Sequence, residues 1–80
     1  MKIPVIKKLV ESTPLEDLQQ AEQDLMEERP LQIEVEGEDE GEQLTHVFAA
    51  IFILEEMAQN NTAFKQALRL YTQKVRESIS

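Results

Sequence analysis

The stretch Glu34–Met57, EVEGEDEGEQLTHVFAAIFILEEM, decides how this chain folds. Its first half places an acid at nearly every second position, and its second half holds the longest apolar run, VFAAIFIL from Val47 to Leu54. Carboxylates stay in water or are neutralised, whereas such a run is buried, so two kinds of surface meet at one helix N-terminus. Asp39, with Glu42 three residues on, suits the N-cap and N3 positions of a helix that is expected to run to about Gln59. Leu44, Val47, Ile51, Leu54 and Ala58 form its main apolar face. Phe48, Phe52, Ile53 and Met57 widen that face until only Thr45, Glu56, Gln59, Asn60 and the small Ala49 remain on a polar stripe. A helix apolar nearly all round belongs at the centre of its fold. Phe52 projects toward the polar stripe, and a monomer of 80 residues has little left to cover both phenylalanines. The expectation is therefore a homodimer with Phe48, Phe52, Ile53 and Glu55 at its interface.

Working outward, Arg29-Pro30 ends a preceding helix, because the residue before proline avoids the α region. Leu31, Ile33 and Val35 then alternate with Gln32, Glu34 and Glu36, the period-2 pattern of a short strand or extended segment near 31–36. The helix before it starts at Thr13-Pro14-Leu15-Glu16, with Thr13 as expected N-cap, Pro14 at the first helical position and Glu16 closing a capping box. Leu15, Leu18, Ala21, Leu25 and Met26 share its apolar face; Asp17, Gln20, Gln23, Asp24 and Glu27 turn to water, and Glu22 falls inside the apolar stripe. Residues 4–11 carry Val5, Ile6, Leu9 and Val10 at helical spacing, with a strand as the competing reading because of Ile3, Val5 and Ile6. Downstream, Asn60-Asn61-Thr62 reads as a stop and restart, with Asn61 or Thr62 capping a last helix whose apolar face is Phe64, Ala67, Leu68, Tyr71, Val75 and Ile79. The fold expected is mainly α, a single domain over residues 1–80 built as a bundle of about four helices.

Cysteine is absent, which excludes disulfides and thiolate chemistry and leaves helix packing, an O/N-ligated metal or oligomerisation to stabilise so short a chain. The start MKIPVIKK lacks the apolar core of a secretory signal, and the run Val47–Leu54 is far below the ~20 residues of a bilayer span, so a cytoplasmic protein with no membrane partner is expected. The net charge of −8 is unevenly placed: residues 1–10 carry +3, residues 11–60 carry −14 and residues 61–80 carry +3. Basic ends that fold back on an acidic middle account for this, and a basic face that docks an acidic partner is the sharper alternative.

No catalytic set or cofactor signature stands out. Glu36, Glu38, Glu40 and Gly41 mimic the opening of a calcium loop, but the position that needs a bidentate Glu is Val47. Acids there complement the helix dipole instead. His46 is the only histidine, one turn beyond Glu42, so a Glu42–His46 contact at the edge of the apolar surface is expected. A di-iron pattern would need two Glu-x-x-His pairs, and Gln43 stands where the Glu should be. Glu22 and Glu55 are carboxylates within apolar stripes, costly unless paired. The alternative to an interaction module is thus a divalent-metal protein or small enzyme that uses Glu22, His46 and Glu55, with Glu42 and His46 as metal ligands. Lys65, Arg69 and Arg76 form a basic face, yet the helix that would enter a DNA groove, Pro14 to Glu28, is acidic, which argues against nucleic acid.

Three segments, MKIPVIKKLVE, IEVEGEDEGEQLTHV and LRLYTQKVRESIS, together resemble a small family of unknown function, of about this length, from Bacteroidota bacteria. The resemblance covers the whole chain and implies a cytosolic bacterial protein with thioredoxin-like and peroxiredoxin gene neighbours. It brings no functional residues. With no cysteine in the chain, any redox link would run through a partner.

Overall fold

A computed structural model describes residues 1–79 of the chain as four helices, with no strand among the described residues. They are α1 (Ile3–Ser12), α2 (Leu15–Met26), α3 (Glu40–Asn60) and α4 (Phe64–Ile79). The helical stripe at the N-terminus prevails over the β-branched run: Ile6 and Leu9 are buried and Val5 and Val10 half-buried, all on one side of α1. Pro4 lies in the first turn, where its missing N–H costs nothing.

The turn into α2 differs from expectation. Because α1 continues to Ser12, Thr13 serves as its C-cap, extended at φ −123° and ψ 124°, and its N–H bonds the Leu9 carbonyl at 3.0 Å. Pro14 takes the N-cap position of α2 instead of the first helical position, and no side chain caps that helix. The proline carbonyl receives the Asp17 and Leu18 N–H groups at 3.1 and 3.2 Å. Thr13 is too committed to the preceding helix to close a capping box with Glu16.

α2 ends in a Schellman motif. Arg29 N–H reaches back to the Asp24 carbonyl at 2.7 Å and Glu28 N–H to the Leu25 carbonyl at 3.3 Å, which requires Glu28 to sit at φ 56°. This left-handed position favours glycine, and here it holds a branched-free but charged residue at a helix C-terminus.

The strand or extended segment expected near 31–36 does not form. Its alternation does describe burial: Leu31 and Ile33 are half-buried, Val35 is buried, and Gln32, Glu34 and Glu36 are exposed. Among the described residues no second segment completes a ladder, and two carbonyls are satisfied by side chains of α3 instead, Val35 O by Gln43 Nε2 at 2.8 Å and Glu36 O by His46. The loop passes so near α3 that a Cβ on Gly37 would lie 2.8 Å from the Gln43 side chain. α3 then begins as expected, with Asp39 Oδ1 accepting the Glu42 N–H at 2.7 Å.

At the other end of α3, Asn61 adopts φ 53° and closes that helix; it does not start the next. Thr62 does not cap α4 either, for its hydroxyl is buried without a hydrogen-bond partner. Gln66 Oε1 instead accepts the Ala63 N–H at 3.3 Å.

Two apolar clusters share α1 and α3. One gathers Leu9, Leu18, Ala21, Leu25, Val35, Val47 and Ala50 from α1, α2, the long loop and α3. The other gathers Ile6, Ala49, Ile53 and Ala67, with Phe52, Phe64 and Tyr71 half-buried against them. α3 is therefore the wall common to both. Ala49 belongs to this core and not to a polar stripe: it is fully buried, and its small size lets a neighbouring helix approach closely. Replacing Glu28 by Gly should stabilise the chain by about 1 kcal/mol and raise the melting temperature by a few degrees. Thermal denaturation followed by circular dichroism checks this; an unchanged or lower midpoint would contradict the strain assigned to Glu28.

Candidate functional site

His46 is the best-determined polar group in the molecule. The ring is fully buried. Its Nε2 accepts the Lys2 backbone N–H at 2.9 Å, and its Nδ1 donates to the Glu36 carbonyl at 2.7 Å. One acceptor and one donor are both used, which selects the neutral Nδ1–H tautomer and clasps the start of α1, the acidic loop and α3 together. The expected Glu42–His46 contact is not made. Glu42 turns outward, where one carboxylate oxygen accepts the Glu38 N–H at 2.9 Å and the other lies 3.7 Å from the Met1 ammonium.

These bonds explain why Glu42 ionises below the ordinary glutamate range. The Glu38 N–H is the chief cause; desolvation opposes it, and Lys2 and the N-terminal ammonium add smaller contributions in the same direction as the hydrogen bond. Lys2 to Glu38 at 4.0 Å and Lys8 to Glu36 at 3.8 Å complete the apposition of α1 with the acidic loop. Both lysine–glutamate pairs are exposed and of small individual worth. The N-terminal lysines thus fold back on the acidic middle as expected, whereas among the described residues Lys65, Arg69 and Arg76 form no ion pair. These three lie within about 40° of one another around α4 and are exposed, a solvent-facing basic stripe.

The residues of a possible metal or catalytic centre are not brought together. Both ring nitrogens of His46 bond backbone groups, and Glu42 is engaged by Glu38 and Met1. Nine residues separate His46 from Glu55, which sets them about 180° apart on α3, and Glu22 is on a different helix. Among the described residues no group of three or more His, Asp or Glu is placed to hold a metal ion. A buried carboxylate does occur at Asp24, expected to face water and in fact 2% exposed. Gln20 Nε2 at 2.9 Å and Arg29 Nη2 at 3.3 Å hold its Oδ1. Gln20 one turn before it was the available sequence signal. Asp24 Oδ2 is buried without a partner.

Of the residues expected at an interface, Ile53 is fully buried inside the chain. Phe48, Phe52 and Glu55 share one side of α3 within about 60°. Phe48 is 39% exposed, and Leu44, Ile51, Phe52 and Glu55 around it are half-buried. This strip lies between the side of α3 that packs on α2 and the side that packs on α4. Phe52 is partly covered by α4: its ring stands 5.6 Å from that of Tyr71, and Lys74 Nζ lies 5.9 Å from its centroid. Burial pushes the ionisation of the Tyr71 phenol up.

A family model described as a family of unknown function (DUF6952) matches residues 1–80. The chain belongs to this family. No curated protein and no solved structure matches it. Among the described residues of this family member, no helix is long and apolar enough to cross a membrane.

Two measurements test the clasp. His46→Ala removes a fully buried ring and leaves the part-buried Lys2 N–H and Glu36 carbonyl without their partner, and should cost about 2–4 kcal/mol in urea denaturation; a loss well under 1 kcal/mol would show that the ring is dispensable. Glu42, with its depressed ionisation, contributes stability that is present above the ordinary glutamate range and lost as pH falls through its folded value. Glu42→Gln should therefore flatten the acid limb of a stability-versus-pH curve, and an unaltered limb would contradict the assignment.

Proposed function

We propose that this protein is a non-catalytic protein–protein interaction module that acts as a homodimer in the bacterial cytoplasm. The observation that carries this reading is the apolar strip on the outer side of α3, where Phe48 is exposed beside half-buried Leu44, Ile51 and Phe52. An aromatic left open on the most central helix of so small a bundle is a site at which a protein surface gains by desolvation. Of the groups that could perform chemistry, His46 has both ring nitrogens engaged by backbone groups. A carboxylate/His metal protein or small enzyme using Glu22, His46 and Glu55 has no comparable observation behind it. Calorimetric titration with Mn²⁺, Fe²⁺ and Zn²⁺ distinguishes the two, because only that alternative gives stoichiometric heat that His46→Ala removes.

Light scattering coupled to size exclusion tests the main reading. The wild-type chain should elute with twice the 9.2 kDa of one chain, and Phe48→Asp should shift it to the monomer while leaving the helical circular dichroism intact. A wild type that remains monomeric up to high concentration would overturn the proposal.

A further inference from the structure

We infer that the second copy docks on the outer face of α3 about a two-fold axis that crosses α3 at right angles near Phe52, so that Glu55 of each protomer pairs with Lys74 of the other. The inference rests on the homodimer reading and specifies its interface. An isologous contact requires a surface that becomes complementary to itself after a half-turn. This face has that property, because an acid and a base flank its aromatic centre on opposite sides.

α3 and α4 are joined by residues 61–63 alone and pack on each other, so they run antiparallel. Tyr71 meets Phe52, and Lys74, three residues further along α4, consequently lies toward the N-terminal end of α3. Glu55, three residues past Phe52, lies about one turn toward the C-terminal end. A half-turn about an axis perpendicular to α3 exchanges these two ends while it keeps the α4 side opposite the α4 side. Glu55, about 60° around α3 from Phe52, then reaches across the aromatic centre to the second copy's Lys74, whose ammonium lies over Phe52, and the same pairing recurs by symmetry. An axis parallel to α3 would instead set Glu55 against its own copy, like charge on like.

Both groups are available for this pairing. Neither Glu55 nor Lys74 forms an ion pair among the described residues. Glu55 is half-buried on an otherwise apolar strip, where a carboxylate gains from a cation more than it would in open water. Lys74 holds its ammonium over the Phe52 ring, at the rim of the same strip. Lys65 and Lys74, nine residues apart, point to opposite sides of α4, so the stripe Lys65, Arg69 and Arg76 lies outside this contact.

Sedimentation equilibrium of charge-reversal variants tests the arrangement. Glu55→Lys and Lys74→Glu should each weaken dimerisation at least ~tenfold, and the double variant should return to within ~threefold of the wild type. Because the chain has no cysteine of its own, a second readout is clean: a mixture of Glu55→Cys and Lys74→Cys chains should oxidise to a 55–74 cross-linked dimer in preference to 55–55 or 74–74 dimers. The mixed dimer keeps one native pair, Glu55 of the Lys74→Cys chain with Lys74 of the Glu55→Cys chain, and in the latter the contact of Lys74 with Phe52 is intact. A wild type that is monomeric overturns both the homodimer reading and this interface. A dimer that ignores both reversals, or that cross-links 55 to 55, overturns the interface and leaves the homodimer.

Discussion

Two hydrogen bonds to one buried imidazole hold this structure in its arrangement. His46 presents a lone pair to the first peptide N–H before α1 and a proton to a carbonyl of the acidic loop. Without the ring, the N-terminus of α1 and the loop would each lose the partner of a part-buried backbone group, and the interior would lose a fully buried side chain. The lysines of α1 and the glutamates of the loop add exposed pairs of little separate worth, but they lie where the ring has already placed them. Polar chemistry at this position is structural, and it is what allows a segment with no ladder partner to lie against a helix.

The clasp also determines which side of α3 is left open. α1, α2 and α4 cover the sides that carry Val47, Ala49, Ala50 and Ile53. Phe48 and Glu55 face away from them. The charges follow the same division: Glu36 and Glu38 meet Lys8 and Lys2, the buried Asp24 meets Arg29, and the basic stripe of α4 turns to solvent. The central helix thus keeps an aromatic strip outside, with an acid and a base beside it, and this is the surface on which the proposed dimer is built.

Much of this was legible in the residues. The apolar period of 3.6 located all four helices, and the sequence Asp39-x-x-Glu42 located the start of the central one. What period alone misses is which neighbour claims a group. Thr13-Pro14 has the composition of a helix start, yet the turn is so short that the threonine is already spent on α1. The alternation at 31–36 reports burial correctly, but a strand needs a partner and there is none among the described residues. Ala49 looks polar-facing on a wheel because it is small, and that smallness is why a helix can cover it. Asp24 and His46 are buried for a reason no wheel contains: their partners, Arg29, Lys2 and Glu36, arrive through tertiary structure.

The central claim is that His46 is a clasp with both nitrogens committed. Long-range ¹H–¹⁵N correlation of the imidazole reads this directly. The account predicts a single tautomer with hydrogen on Nδ1 and a bare Nε2, an Nδ1 proton protected from exchange with water, and a Lys2 amide that shares that protection. A ring that carries its hydrogen on Nε2, averages between tautomers, or exchanges as freely as an exposed histidine would contradict it.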